Sequence, residues 1–306
     1  MPHKKFRVKD EFGKNQRLDI YLNELISELS RSQIQDSIHK EKVLVNSKII
    51  RKPSFQISEG DQIEIRYTLP SPLKIIPESI PLDIFYQDEY VAVINKDSGM
   101  VIHPGAGIQN HTLVNALVYH FPEIKKVGPE IRPGIVHRLD KETSGLLVIA
   151  KNQKAFEDLK SQFKKRQVQK KYKALVWGRY SQKQGVISWA IGRHVKEGAR
   201  MSVKTKKPKK AETHFKVLKV FEKCSLLDVK PITGRTHQIR VHMSASGHPI
   251  VGDKRYGKRK KRAALKSRLF LHAYYISFIH PQTQKRLEFN IPLPDDLQKI
   301  LEKIEG

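Results

Sequence analysis

Chemistry needs a group that can be ionised, aimed and partnered, and the segment PGIVHRLDKETSGLLVIAK at 133–151 concentrates such groups. Between the turn-forming Pro133-Gly134 and the apolar run after Gly145 lies a polar loop, HRLDKETSG, that sets Asp140 beside Arg138, Lys141 and Glu142. A carboxylate so placed could serve as nucleophile or base, although a single Asp in a charged loop is ordinarily a turn residue or a surface ion pair. The letters partly match a protein-kinase catalytic loop. That reading fails, because the Asp follows the Leu, the downstream Asn is missing, and no Gly-rich phosphate loop or DFG segment accompanies it. A second segment, KKYKALVWG at 170–178, puts Tyr172 at the head of a strand pattern, a place where tyrosine is more often core or interface than catalytic. A third, ITGRTHQIRVHMSASGHPIVGDKRYG at 232–257, packs Arg235, His237, Gln238, Arg240 and His242 into eight positions. Read as a strand, it turns Arg235 and His237 to the face opposite Gln238, Arg240 and His242. Two arginines buried in one apolar sheet are costly without anionic partners, so a carboxylate or phosphate is expected opposite them.

Other chemistries find no support in the spacing. The histidines form neither HExxH nor any Cys/His ligand pattern, and structural or RNA-contacting roles suit them better. The Gly105-Ala106-Gly107 turn lacks the third Gly of a dinucleotide fingerprint and the Lys of a Walker loop.

The elements that must position these residues follow from periodicity. Apolar alternation marks strands at 90–95, 145–151, 172–180, 213–221, 224–231 and 273–281, and helical patterns fall at HTLVNALVYHF and QKAFEDLKSQFKKR. The expected class is α+β, with a large, mixed, mostly antiparallel sheet. Near the N-terminus, Leu18, Tyr21, Leu22 and Leu25, and then Ile34 and Ile38, recur at helical spacing, with Ser30 or Ser32 as N-cap of the second helix. KVLVNSKIIRK and DQIEIRY read as short strands, with turns at Asn46-Ser47 and Glu59-Gly60-Asp61. Pro70, Pro72, Pro77 and Pro81 favour an extended linker. The expected division is a small N-terminal α/β domain over 1–68, a linker over 69–82 and a larger domain over 83–306.

Charge supplies the partner. The 306 residues carry 58 Lys and Arg against 31 Asp and Glu, a formal net charge of +27. Residues 1–70 contribute +3, residues 71–150 contribute −2, and residues 151–306 contribute +26. Such an excess points to a polyanion, most simply nucleic acid. Two clusters stand out, Arg200–Lys210 and Lys254–Arg268, the latter with KRKKR at 258–262; a solvated loop is the competing explanation for either. Cys224 is the single cysteine, which excludes an intramolecular disulfide framework and a cysteine-built zinc site and suits a reduced, cytoplasmic setting. The charged N-terminus has no apolar run behind it, and no stretch approaches the ~20 apolar residues that span a bilayer.

At the three segments the chain resembles the RluA-type pseudouridine synthase family, close to members that modify large-subunit ribosomal RNA. HRLDKETSGLLVIAK matches the catalytic-loop motif over its whole length, KKYKALVWG is similar to the second motif, and GRTHQIRVHMSASGHPIVGDKRYG to the third. The tail LHAYYISFIHP…IPLPDDL is similar to the family's ending. RLDIYLNELISELSRSQIQDSIHKEKVLVNSKIIRKPSFQISEGDQIEI resembles the small S-four-type RNA-binding domain that often precedes it. One departure is Lys96-Asp97-Ser98-Gly99 where the family usually carries Lys-Pro-Ala-Gly, with Gly99, His103 and Pro104 retained.

The resemblance implies that Asp140 is the catalytic carboxylate in the isomerisation of uridine to pseudouridine. It implies that Arg240 pairs with Asp140 and that Tyr172 stacks on the base and shares in proton removal from carbon 5. Arg138 would fill the gap left by the flipped nucleotide. Arg235 and His237 would touch RNA, as would Arg31, Ser32 and Lys42 on the small domain. No cofactor or metal is implied, because the reaction is redox-neutral and transfers nothing from a donor. The implied partner is ribosomal RNA, of the large subunit or its precursor particle, met by a cytoplasmic, membrane-free monomer. A non-catalytic RNA-binding protein of the same fold and a transfer-RNA-acting member of the family are the alternatives.

Overall fold

The computed structural model describes residues 2–9, 16–67, 75–105, 108–195, 197, 200–257 and 267–305, so Gly107, the start of the 69–82 segment and the KRKKR run lie outside the described residues. The chain divides into two compact units, residues 1–73 and 74–306.

In the first unit, strands β1 (His3–Arg7), β2 (Gln16–Arg17), β3 (Val43–Val45), β4 (Lys48–Ile49), β5 (Gln56–Ile57) and β6 (Gln62–Arg66) accompany helices α1 (Leu18–Leu25) and α2 (Arg31–His39). Four strands form an antiparallel sheet in the order β1-β6-β3-β4, and β2 pairs with β5. Leu18, Tyr21 and Leu22 of α1 and Ile34 and Ile38 of α2 bury against Val43, Ile63 and Ile65, as their spacing predicts. Leu25 departs from that face and is 44% exposed, because α1 ends there. Ser30, not Ser32, caps α2, in a capping box with Gln33. The β3–β4 turn places Asn46 and Ser47 at φ 49° and 65°, the left-handed conformation that two-residue hairpin turns require.

The second unit is built on strands β7 (Ile84–Gln87), β8 (Val91–Lys96), β9 (Ser144–Ala150), β10 (Gln169–Trp177), β11 (Gln184–Ile187), β12 (Gly192–Arg193), β13 (Met201–Ser202), β14 (Thr213–Val220), β15 (Cys224–Pro231), β16 (Leu271–Ile279) and β17 (Arg286–Asn290). Among the described residues a nine-stranded sheet runs β11-β14-β15-β10-β16-β9-β8-β7, with β17 also on β16; only the short β16–β9 pairing is parallel. Helices α3 (Leu113–His120), α4 (Gln153–Lys164), α5 (Gln238–Ala245) and α6 (Asp295–Glu305) complete it. Thr112 and Asn152 cap α3 and α4, and Phe156 and Leu159 of α4 enter the core. Residues 75–82 form no helix or strand, as their prolines predict. They are nonetheless fastened to α3: Asn115 Nδ2 donates to the Ile76 carbonyl (2.8 Å), and the Glu78 N–H donates to the Asn115 carbonyl (3.1 Å).

One expectation about local structure fails. Residues 238–245 are helical, not a strand. Gln238, Ile239, Arg240, Val241, His242 and Met243 are all buried, so the segment shows no exposed stripe from which a 3.6-residue period can be read. His237 enters the helix at φ 55°. Gln238 Nε2 and His242 Nδ1 both reach Thr213 Oγ1 (2.9 and 3.0 Å), which fastens α5 to β14.

Candidate active site

The Asp140 loop is held from two sides. On one, residues 134–137 run along the end of β9: the Ala150 N–H donates to the Gly134 carbonyl (3.0 Å) and the Val148 N–H to His137 Nε2 (3.0 Å). Because Nε2 accepts, the remaining ring proton belongs on Nδ1, and burial holds His137 neutral with a pKa well below the usual value. On the other side stands the turn that departs from the family pattern. Lys96 Nζ donates to the carbonyls of Asp97, Met100 and Lys141 (2.6, 3.1 and 3.2 Å), which uses all three of its protons. The Gly99 N–H donates to the Lys141 carbonyl (2.8 Å), and Ser98 Oγ donates to the Glu142 carbonyl (2.8 Å). The departure thus brings a side-chain hydrogen bond to the loop, through the hydroxyl of Ser98. Burial lowers the Lys96 pKa to about 8, against the attraction of Asp97 and Asp140.

Arg240 is the centre of the charge network, and its closest partner is not the expected one. Nε and Nη2 make a two-point contact with the Asp253 carboxylate (2.8 and 2.9 Å). Nη2 also lies 3.3 Å from Glu142 Oε2, and Nη1 lies 3.5 Å from Asp140 Oδ2. The planar guanidinium is therefore fixed by Asp253 and turns its remaining edge to Asp140. Asp253 is itself fixed by the backbone N–H groups of Arg255 and Tyr256, both at 2.9 Å. Burial is the largest influence and works against both charges, but the mutual hydrogen bond, the attraction of opposite charges and, for Asp253, the backbone N–H groups together outweigh it: the Arg240 pKa is raised and that of Asp253 lowered. Asp140 keeps 17% of its side chain exposed, whereas Arg240 keeps 4%.

Tyr172 is buried on β10, opposite Val229 of β15. The β10–β16 register slips between Lys171 and Lys173, so Tyr172 sits at a bulge, the irregularity that commonly re-aims a side chain beside an active site. Burial, and then the Asp140 charge, push its phenol pKa up, which leaves the group protonated at neutral pH. His237 shares its Nδ1 with the Tyr256 hydroxyl (2.8 Å) and has Nε2 4.0 Å from Asp140 Oδ1. Burial lowers its pKa despite the nearby carboxylate.

A recess of about 100 Å³ has Arg138, Asp140, Tyr172, Arg235, His237 and Arg240 in its lining, six of the nine residues singled out from the sequence. Arg138 is exposed. Arg235 is exposed too, contrary to the expectation of two buried arginines; its Nε donates to the Lys210 carbonyl (3.0 Å), so it needs no buried counter-ion. Arg31, Ser32 and Lys42 belong to the first unit. Ser32 is exposed and Lys42 half-buried, while Arg31 is partly committed to the fully buried Asp19 (2.8 Å), which Arg17 and Gln35 also approach. Beyond the recess a basic groove of about 870 Å³ includes Arg193, Lys206, Lys207 and Lys209 in its walls and shares Gly234, Arg235 and Thr236 with it. Among the described residues no cluster of three or more His, Cys, Asp or Glu is arranged to hold a metal, and no helix is long and apolar enough to cross a membrane.

Sequence reasoning missed Asp253 and Lys170. Asp253 stands inside the third motif, but only the fold shows that it faces Arg240. Lys170 also lines the recess, and its spacing of two from Tyr172 on a strand was an available signal.

The recess and the basic groove that adjoins it form a candidate site whose charge suits a polyanion. A family model described as "RNA pseudouridylate synthase" matches residues 90–245, and one described as "S4 domain" matches residues 16–63. An RNA pseudouridine synthase of Aquifex aeolicus, itself described as uncharacterized, is 41% identical over 301 residues, 96% of this chain and 95% of that protein. "Ribosomal large subunit pseudouridine synthase D" of Zymomonas mobilis is 40% identical over 298 residues, 94% of this chain and 93% of its own. The structure of "Human RNA Pseudouridylate Synthase Domain Containing 1" aligns with TM-score 0.59 at 30% identity, covering 78% of this chain and 97% of that one. The chain belongs to the RNA pseudouridine synthases: it is an isomerase with an S4 domain ahead of its catalytic fold.

Proposed function

We propose that the enzyme isomerises specific uridines of large-subunit ribosomal RNA, with Asp140 as the reacting carboxylate. The observation that carries this reading is the placement of Asp140 in the recess, against a guanidinium that Asp253 holds in position and within the electrostatic reach of Tyr172. The ribosomal substrate is supported by the name of the Zymomonas mobilis relative and by the S4 domain.

In this mechanism Asp140 either attacks C1′ or removes the 2′ proton, and the C1′–N1 bond breaks with its electron pair on the base. The base turns and C5 bonds to C1′ as Asp140 leaves that carbon or returns the proton to C2′; the C5 proton leaves and N1 gains one, so the atoms of uridine are conserved. Arg240 pairs with the Asp140 carboxylate through Nη1 and aims it. Tyr172 offers its ring to the base; being protonated, its phenol serves the C5 proton as a hydrogen-bonding relay and not as a standing phenolate. Arg138, exposed in the recess lining, fills the gap left by the flipped nucleotide. Arg235, His237 and the groove lysines grip RNA phosphates, and Arg31, Ser32 and Lys42 form the RNA face of the small domain, taken as residues 1–68 ahead of a 69–82 linker. The setting is cytoplasmic and the working form a monomer.

The test compares wild type with Asp140→Asn on transcribed ribosomal RNA and on ribosomal particles, with pseudouridine mapped by carbodiimide-dependent primer-extension stops. Wild type should give discrete stops and the variant none. Stops that survive in the variant would remove Asp140 from the chemistry. A wild type that makes none on either substrate would favour a non-catalytic RNA-binding protein.

A further inference from the structure

Lys170 has no part in the mechanism above, yet it lines the recess with Asp140 and Tyr172. It lies two residues before Tyr172 on β10. Its neighbours Lys171 and Lys173 are accounted for on their own, with ammonium groups 4.7 Å and 4.4 Å over the rings of Tyr275 and Tyr274. Lys170 Nζ lies 5.5 Å over Phe163, which stacks on His137 at 4.6 Å. Among the described residues no carboxylate forms an ion pair with it, and burial lowers its pKa to about 8, so it is still mostly protonated at neutral pH. A cation held this way is costly until an anion arrives.

The other positive groups around the recess are already engaged or lie outward. Arg240 is bound to Asp253, Arg235 to the Lys210 carbonyl, Arg138 is exposed, and burial keeps His237 neutral. What the reaction brings into the recess is a base that becomes an anion when the C1′–N1 bond breaks and its electron pair stays on the uracil ring.

We infer that Lys170 is the counter-ion of the uracil anion, stabilising the base between its detachment through N1 and its reattachment through C5. This rests on the pseudouridine synthase chemistry proposed above. Lys170 donates no proton: the ammonium pairs with the anion while it exists, and the charge is discharged when C5 bonds to C1′, the C5 proton leaves and N1 takes one up. An RNA phosphate would offer similar anionic oxygens, but it would be met on binding and not during the chemical step.

The experiment measures single-turnover loss of the N-linked nucleoside at the target position, at saturating enzyme, for wild type, Lys170→Met, Lys170→Gln and Lys170→Arg. It uses RNA carrying either uridine or 5-fluorouridine at that position, with RNA affinity measured in parallel. Fluorine withdraws charge from the ring, so 5-fluorouracil leaves more readily and needs less help. Lys170→Met and Lys170→Gln should lower the rate constant about 10²-fold on uridine with affinity unchanged, as for removal of a preorganised donor to a developing charge. The deficit should shrink on 5-fluorouridine, and Lys170→Arg should recover most of the rate. Neither neutral variant should lose thermal stability, because each removes a half-buried charge that no carboxylate pairs among the described residues. An undiminished rate in both neutral variants overturns the inference. So does an equal deficit on the two bases, or a loss confined to affinity, which would assign Lys170 to an RNA phosphate. A wild type that makes no pseudouridine overturns the proposed function as well; an active wild type with unimpaired variants overturns only the role of Lys170.

Discussion

Arg240 is bound twice to Asp253 and reaches Asp140 only through Nη1, so the guanidinium beside Asp140 is itself held by a second carboxylate. A buried ion pair of this kind adds little net stability, but breaking one side leaves an uncompensated charge and costs about 3–5 kcal/mol. Asp253→Asn should therefore lose stability on that scale in urea unfolding and lose activity as Arg240 is freed to close on Asp140. The folded-state pKa of Asp253 lies below its unfolded value of about 3.9, so its contribution is full above that pH and fades as pH falls through the folded pKa. The stability gap between wild type and Asp253→Asn should close in acid. A gap that stays constant down to strong acid would mean that the pair is not what the substitution disturbs. Lys96 is held differently, its three ammonium protons taken by three loop carbonyls.

At the scale of elements, the site is assembled where β9, β10 and β16 meet. Gly145 is the point of closest approach: it has φ +115°, and a Cβ there would stand 2.3 Å from the Ala273 carbonyl oxygen of β16. Backbone cannot yield as a flexible side chain can, so Gly145→Ala should destabilise the protein by about 1–3 kcal/mol or more and move the end of the Asp140 loop. Thermal melting together with single-turnover activity would check this; an unchanged melting temperature would show that the two strands have slack. The short parallel β9–β16 pairing joins strands more than a hundred residues apart, a contact that no local pattern announces. Helix α5 is the corresponding failure at this scale. Its polar residues are satisfied by Thr213, Asp253 and the Trp189 carbonyl, so the spacing of polar and apolar residues does not report a helix period.

For the whole molecule, charge and site divide between regions of the chain. The net of +26 after residue 150 includes the walls of the groove that adjoins the recess, while residues 71–150, which supply the Asp140 loop, carry −2. RNA affinity should consequently fall steeply with salt, because each neutralised phosphate releases counterion. The double substitution Lys206→Ala, Lys207→Ala should weaken binding at low salt and reduce the slope of log affinity against log salt by about 2, with the single-turnover rate at saturation preserved. A salt-insensitive affinity in the wild type would remove the polyanion argument altogether.

The sequence by itself determined the polyanionic partner, the strands and helices with a single buried face, and the loop around Asp140, because charge, periodicity and a contiguous motif are local properties of the chain. It also named Tyr172 and Arg240, through the resemblance that their motifs carry. Only the tertiary structure decided that Asp253 is the closest partner of Arg240, that Ser98 and Lys96 grip the loop and that 238–245 is a helix. The physical reason is the same in each case. These are contacts between segments far apart in sequence, or burial on every side of one segment, and both come into existence only when strands such as β9 and β16 are brought together.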